Sequence, residues 1–413
     1  MTEYTFPQVL DLKLELEPAR FGLMPEDLFA LAVRKNPKRS FLFVSRVLGK
    51  HLPIRPQVLP AAGKLLALAC SGGGEWERWA GVVRGTDRTD FPTLMEALAT
   101  SRVVLPPEER TLFVGFAETA TGLARAVAAC YDGAWDYLST TRLPLDGWDT
   151  VYFEESHSHA RTHLLHVAPG LGERAGWTRA VLVDDELTTG NTALKLVEAL
   201  HRRFGIRRFT LLTLLDWTDE ANREELARRL GVEIELVSLL HGRIVGEKRG
   251  TLPPFALDDC REWPGTPIAP QTLERGGSMG RTLLTPRDQA ECEAFCRRVA
   301  RSLGPAGEDT LFLGTGELIY EPALIAGYCG ASAFHSTTQS PVYPLTGSAV
   351  TCGVQFQPPD GYSAAGYIYN VPQGRYRRVV LLAEQASFRA QGAQQLMGWL
   401  AGRGMEQQEV VLL

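Results

Sequence analysis

Cysteine is scarce in this chain. Seven thiols in 413 residues (Cys70, Cys130, Cys260, Cys292, Cys296, Cys329 and Cys352) form no CxxC pair. That argues against a disulfide scaffold and against a zinc ribbon. Cys292 and Cys296, four apart on an expected helix, read as buried thiols. Long apolar runs are also missing. No stretch approaches about 20 uncharged apolar residues, so no membrane span is expected. An excess of positive charge is absent too, because 43 basic and 48 acidic residues leave a net charge of −5. Such a chain is a poor general binder of nucleic acid or membrane. The opening residues, MTEYTFPQVLDLKLELE, hold no basic stretch before an apolar core, so no secretory leader is expected. These absences together suggest a cytoplasmic, reduced protein. What is present is ordinary for a globular chain: 45% hydrophobic and 22% charged residues. That is enough apolar material for real cores, and it excludes wholesale disorder. The length suggests two or three domains.

The clearest rhythm lies between residues 110 and 245. Residues 111–116 (TLFVGF), 136–142, 151–155, 180–184 (AVLVD), 208–216 (RFTLLTLLD) and 232–240 read as strands. Residues 121–129, 192–204 and 221–230 read as helices between them. Alternation of this kind predicts an α/β fold with a mainly parallel, doubly wound sheet. Residues 246–284 are rich in proline and glycine and read as an irregular connector. A helix then starts with Thr285 as N-cap, Pro286 at the first turn and Asp288 behind it. The expected division is 1–245, a linker over 246–284, and 285–413.

The second part echoes the first. TLFVG at 111–115 returns as TLFLG at 310–314, each followed three residues later by a glutamate, Glu118 or Glu317. STT at 139–141 returns at 336–338, and RAVLVDD at 179–185 returns as RVVLLAE at 378–384. Three matches at nearly one spacing suggest an internal duplication.

The strongest chemical signal is AVLVDDELTTGNT, residues 180–192. An apolar strand delivers two adjacent carboxylates, Asp184 and Asp185, followed by Glu186, to the edge of a sheet. Neighbouring carboxylates accept hydrogen bonds from a vicinal diol such as that of ribose. Thr188, Thr189, Gly190, Asn191 and Thr192 then present hydroxyls and backbone N–H groups at a helix start, which favours a phosphate. Helix capping alone would account for one threonine, but not for two carboxylates followed by TTGNT. The combination reads as a receptor for ribose 5-phosphate.

This segment closely resembles the 13-residue signature of type I phosphoribosyltransferases. A wider set of segments resembles the phosphoribosyltransferase of bacterial tellurium-resistance (stress-response) clusters, which carries a C-terminal TRSP domain. They are FVSRVLGKHLP (43–53), GFAETATGLA (115–124), FEESHSHARTH (153–163), VDDELTTGNT (183–192), LGTGELIYEP (313–322), STTQSP (336–341) and YIYNV (367–371). The family has arginine where this chain has Gln339, so any role of that arginine does not carry over. The resemblance implies a phosphoribosyltransferase-like parallel sheet flanked by helices. It also implies use of phosphoribosyl pyrophosphate, with Mg2+ bound mainly through that substrate, and a small-molecule acceptor. The second α/β domain would then be a degenerate copy, because its counterpart of Asp184 is Ala383 and of Asp185 is Glu384.

The resemblance also points to a pyrophosphate loop in GFAETATG, with Ala117, Glu118, Thr119, Ala120 and Thr121 as its members. Glu118 would reach Mg2+ through water or cap its own helix. EESHSHARTHLLH (154–166) holds four of the eight histidines. Ser156, His157, Ser158, His159, Arg161 and His163 read as a flexible lid, with His159 and Arg161 acting catalytically on the leaving group. A solvated loop and a metal site from His157, His159 and His163 are the alternatives. Arg142 is either a substrate contact or a surface arginine at a strand end. Arg46, Lys50 and His51 lie in an N-terminal segment outside the core sheet that reads either as a hood contacting the acceptor or as a solvated basic loop.

The expected function is a Mg2+-dependent transfer of phosphoribosyl to a nitrogen acceptor, a base-like heterocycle, with release of pyrophosphate. Asp184 and Asp185 would be the central catalytic pair. The alternative is a regulator that senses phosphoribosyl pyrophosphate or a nucleotide without turnover. No nucleic-acid or membrane partner is expected. The assembly would be a monomeric pseudo-dimer or a homodimer.

Overall fold

The computed structural model describes the chain except for residues 35–38, 143, 154–162, 172–174, 253, 255–256, 274–280 and 361–364. Strands β1 (Thr2–Phe6) and β2 (Leu10–Leu16) form an antiparallel hairpin. A second hairpin, β3 (Phe29–Val33) and β4 (Phe41–Ser45), makes its own two-stranded sheet. Helix α1 (Val58–Cys70) follows, buried along almost its whole length. Next come β5 (Arg110–Gly115), α2 (Thr121–Ala128) and β6 (Ala134–Ser139). A small antiparallel pair, β7 (Asp149–Tyr152) and β8 (Leu164–Val167), leads to β9 (Arg179–Leu187) and α3 (Asn191–Phe204). Strand β10 (Arg208–Asp216), a helix (Ala221–Leu230) and β11 (Glu233–Arg249) complete the first half.

The main sheet has seven strands in the order β1-β2-β11-β10-β9-β5-β6. The five from β11 to β6 run parallel. Their apolar runs are continuous because both faces are covered. Phe113, Val181 and Val183 join one core with Leu65 of α1 and Leu123 of α2. Leu112, Val114, Ala180 and Leu182 join another with Leu196, Val197 and Leu200 of α3.

Several boundaries differ from the sequence reading. Residues 140–142 leave the sheet instead of continuing β6. Strand β9 carries on through Asp184, Asp185 and Glu186, because β10 pairs with it as far as Asp216 opposite Leu187. Strand β11 runs to Arg249, since β2 offers it an antiparallel edge from Gly242 opposite Leu16 onward. The β1–β2 hairpin had no counterpart in the sequence reading. Its signal is the alternation in LDLKLEL, which buries Leu10, Leu12 and Leu14 on one face.

The connector is less irregular than its composition suggests. Asp258–Asp259 pairs with Val354 and Gln355, and Gln271–Thr272 pairs with Val411 and Leu412. Helix α4 (Pro286–Leu303) opens with the expected cap, Thr285 Oγ1 accepting from the Asp288 N–H at 3.4 Å while Asp288 accepts from the Thr285 N–H at 2.8 Å. Then come β12 (Thr310–Gly314), α5 (Tyr320–Tyr328), β13 (Ala333–Ser336), β14 (Arg378–Ala383), α6 (Ala390–Gly402) and β15 (Gln407–Leu412). They build a parallel sheet in the order β15-β14-β12-β13, with Gln271–Thr272 at its edge.

That order repeats β10-β9-β5-β6, and the register repeats with it. Arg179 stands opposite Thr111 and Arg208, and Arg378 stands opposite Thr310 and Gln407. The second α/β region therefore reproduces the centre of the first. The two halves meet helix to helix. Arg125 of α2 and Glu321 of α5 form an ion pair, with side chains 3% and 2% exposed. One apolar core draws residues from both halves, from Phe6 to Leu413. Among the described residues, no helix is long and apolar enough to cross a membrane.

Candidate functional site

The C-terminal end of β9 gathers the acidic part of the ribose-type motif. Asp184, Asp185 and Glu186 are half-buried and consecutive. The Asp185 N–H donates to Asp184 Oδ1 at 2.9 Å. Burial, and then the charge of Asp185, push the Asp184 carboxyl well above its ordinary range. Burial also raises Asp185, against the pull of Asp184's hydrogen bond and the positive charges of Lys50 and Arg39. Burial pushes Glu186 up to about 7, although Arg39 donates to it at 2.7 Å. All three carboxyls therefore hold their protons more tightly than free ones do.

The chain then bends at Thr188 and Thr189, both exposed, and passes through Gly190 at φ 69°. Glycine adopts that left-handed conformation without steric cost. Helix α3 starts at once with Asn191, so Asn191 and Thr192 occupy its first turn. The Asn191 N–H donates to Thr189 Oγ1 at 3.4 Å. Exposed hydroxyls and backbone N–H groups at a helix start can form a cup for an anion.

The neighbouring loop joins β5 to α2. Its members Ala117, Glu118, Ala120 and Thr121 are buried, and Thr119 is half-buried. The Ala117 N–H donates to Thr140 Oγ1 at 2.8 Å, and the Phe116 N–H donates to the Val183 carbonyl at 3.1 Å. The peptide between Ala117 and Glu118 is cis. Glu118 differs from its expected roles. It pairs with Lys50 at 2.6 Å, the side chains being 8% and 1% exposed, and accepts from the Gln339 N–H at 3.3 Å. A buried pair of this kind is held tightly, because losing one partner strands a charge at a cost of about 3–5 kcal/mol.

The hood residues separate. Arg46 is exposed, while Lys50 and His51 are buried. Burial, then Lys50 and His335, lower the His51 imidazole to about 3, so it is neutral. Among the described residues its Nε2 has no hydrogen-bond partner. Instead, Arg39 reaches the acidic cluster from the β3–β4 connection, with its guanidinium 4.4 Å from the Phe41 ring centroid. Sequence reasoning missed Arg39 because no spacing ties it to β9. Arg142 donates its backbone N–H to Glu317 at 3.3 Å.

Of the lid, Ser156, His157, Ser158, His159 and Arg161 lie outside the described residues. In sequence, residues 154–162 fall between β7 and β8. His163 stands at its described end, with Nδ1 3.5 Å from Thr140 Oγ1 and its ring 6.2 Å from that of Phe153. Among the described residues, no group of three His, Cys, Asp or Glu side chains is arranged to hold a metal ion.

A family model described as phosphoribosyl transferase matches residues 28–243, and a model of the TRSP domain that follows it matches residues 278–400. Comparison with curated proteins found no match. Solved structures matched by the chain include adenine phosphoribosyltransferase from Trypanosoma brucei. It is 15% identical, with 36% of this chain and 65% of that one covered and a TM-score of 0.25. The chain thus spans just under two thirds of that enzyme's length. Adenine phosphoribosyltransferase from Rhodothermus marinus is 19% identical, with 36% and 80% covered and a TM-score of 0.22. A hypoxanthine phosphoribosyltransferase from Staphylococcus aureus is 14% identical, with 43% and 71% covered and a TM-score of 0.20. The family match spans more than half of the chain, which therefore belongs to the phosphoribosyl transferase family and carries a C-terminal TRSP domain.

Proposed function

We propose that the protein transfers phosphoribosyl from phosphoribosyl pyrophosphate to a small nitrogen acceptor. The observation that carries this reading is the junction of β9 with α3, where carboxylates and an anion cup adjoin. The 5-phosphate lies on Thr188, Thr189, Gly190, Asn191 and Thr192. The ribose hydroxyls donate to Asp184 and Asp185. The pyrophosphate lies along Ala117, Glu118, Thr119, Ala120 and Thr121, facing their backbone. The raised proton affinity of Asp184 and Asp185 marks carboxylates that favour a nearby cation, which suits a Mg2+ ion that would come with the substrate and neutralise the leaving group. The acceptor nitrogen attacks the anomeric carbon, the bond to pyrophosphate breaks with its electron pair leaving on oxygen, and the nitrogen gives up a proton. Positioning and shielding from water supply the rate.

His159 and Arg161 are proposed for the leaving group. Arg46, Lys50, His51 and Arg142 are the proposed acceptor-side residues. The half-buried Arg142, whose Nε has no hydrogen-bond partner among the described residues, fits a ligand contact better than the exposed Arg46 does. The domain division at 1–245, 246–284 and 285–413 belongs to the same proposal. Pyrophosphate release with a panel of heterocyclic bases tests turnover. Release with at least one base supports the transferase. Tight binding with no release for any base would favour a sensor of phosphoribosyl pyrophosphate.

A further inference from the structure

Each half of the molecule sends one glutamate into the other. Glu118 of the first half accepts from the Gln339 N–H at 3.3 Å. Its counterpart Glu317 accepts from the Arg142 N–H at 3.3 Å and from Thr141 Oγ1 at 2.9 Å. Gln339 and Arg142 both follow an STT segment, so the same contact is made in both directions. The threonines behave alike as well. Thr140 Oγ1 accepts from the Ala117 N–H at 2.8 Å, and Thr337 Oγ1 accepts from the Gly316 N–H at 3.0 Å. Two-fold dimers exchange contacts in this reciprocal way. Here the exchange lies within one chain.

The exchange brackets the pyrophosphate loop. Glu317 holds Thr141 and Arg142, whose neighbour Thr140 holds the loop at Ala117. At the loop's other end, Thr121 Oγ1 donates to the Glu317 carbonyl at 2.9 Å. One residue of the second half thus touches the segments on both sides of the loop.

The halves differ in what occupies the acidic cluster. In the first, Lys50 takes Glu118 and also donates to the Gly316 carbonyl at 2.9 Å, while Arg39 takes Glu186, the residue after Asp185. In the second, Arg281 pairs with Glu317 at 3.0 Å and also with Glu384, the counterpart of Asp185. The three side chains are only 13–14% exposed. In the second half, one guanidinium bridges the counterparts of Glu118 and Asp185 themselves.

We propose that the C-terminal half positions the pyrophosphate loop of the first half through Glu317, and that it takes no phosphoribosyl ligand of its own because Arg281 fills the equivalent site. This inference rests on the functional reading above.

The test is calorimetric titration of the full chain with phosphoribosyl pyrophosphate and Mg2+, and separately with ribose 5-phosphate, which lacks the group the loop would hold. Wild type should bind one phosphoribosyl pyrophosphate per chain. Glu317→Gln should weaken phosphoribosyl pyrophosphate about tenfold or more, as expected for loss of charge-assisted hydrogen bonds, and ribose 5-phosphate by less than about twofold. Thr141→Val, which removes one donor to Glu317 and keeps the side chain's size, should shift the two ligands in the same unequal way. Unchanged phosphoribosyl pyrophosphate affinity in both variants would overturn the inference. So would an equal loss for both ligands, which marks a general loosening, and so would two molecules bound per chain. Failure of wild type to bind either ligand would instead overturn the functional reading and this inference with it.

Discussion

Asp184, Asp185 and Glu186 concentrate three carboxylates at the end of one strand, and their raised proton affinities are a stability statement. Glu186 titrates at about 7 in the fold, against an ordinary value of 4.5. Between those values the folded protein holds a proton that the unfolded chain has released. Stability from this group therefore falls as pH rises through the window, by on the order of 3 kcal/mol at most. Thermal melts of wild type and Glu186→Gln from pH 4.5 to 7.5 check this. The wild type should lose stability relative to the variant as pH rises, and parallel curves would contradict the assignment. At this scale the sequence was informative about the acids and silent about their partners. TTGNT and the paired aspartates stand together in the chain. Arg39 and Arg281 reach their carboxylates only through the fold, from a hairpin and from the end of a connector.

Strand β9, its turn and helix α3 were legible because one short stretch carries the apolar run, the glycine and the helix start. The edges of the main sheet were not. The alternation of β2 is clear once β11 supplies its partner, but a charged strand such as residues 243–249 is stabilised by pairing, not by its own composition. Helix α2 shows the same dependence on context. A Cβ at Gly122 would lie 2.6 Å from Ile319 Cγ2 and 2.9 Å from its Cβ, on the other half. Gly122→Ala gains up to about 1 kcal/mol in helix propensity. The overpacking costs about 1–3 kcal/mol, because the nearest atoms belong to a stiff β-branched side chain. Net destabilisation is expected in urea unfolding, and a variant at least as stable as wild type would show that the two helices can separate freely.

The duplication was visible in the sequence as three echoes at nearly one spacing, and the sheets repeat it in strand order and register. The intimacy of the halves was not visible. A shared apolar core and the buried Arg125–Glu321 pair join them, so neither half keeps its inner face covered alone. Calorimetry should therefore record a single cooperative unfolding transition for the full chain, and two separated transitions would contradict that coupling. The central claim concerns the site at the end of β9. Its most direct test is titration of Mg2+ and phosphoribosyl pyrophosphate into wild type and into the Asp184→Asn/Asp185→Asn variant. The account predicts saturable binding to wild type that the variant loses. Equal binding by both proteins, or none by wild type, would contradict it.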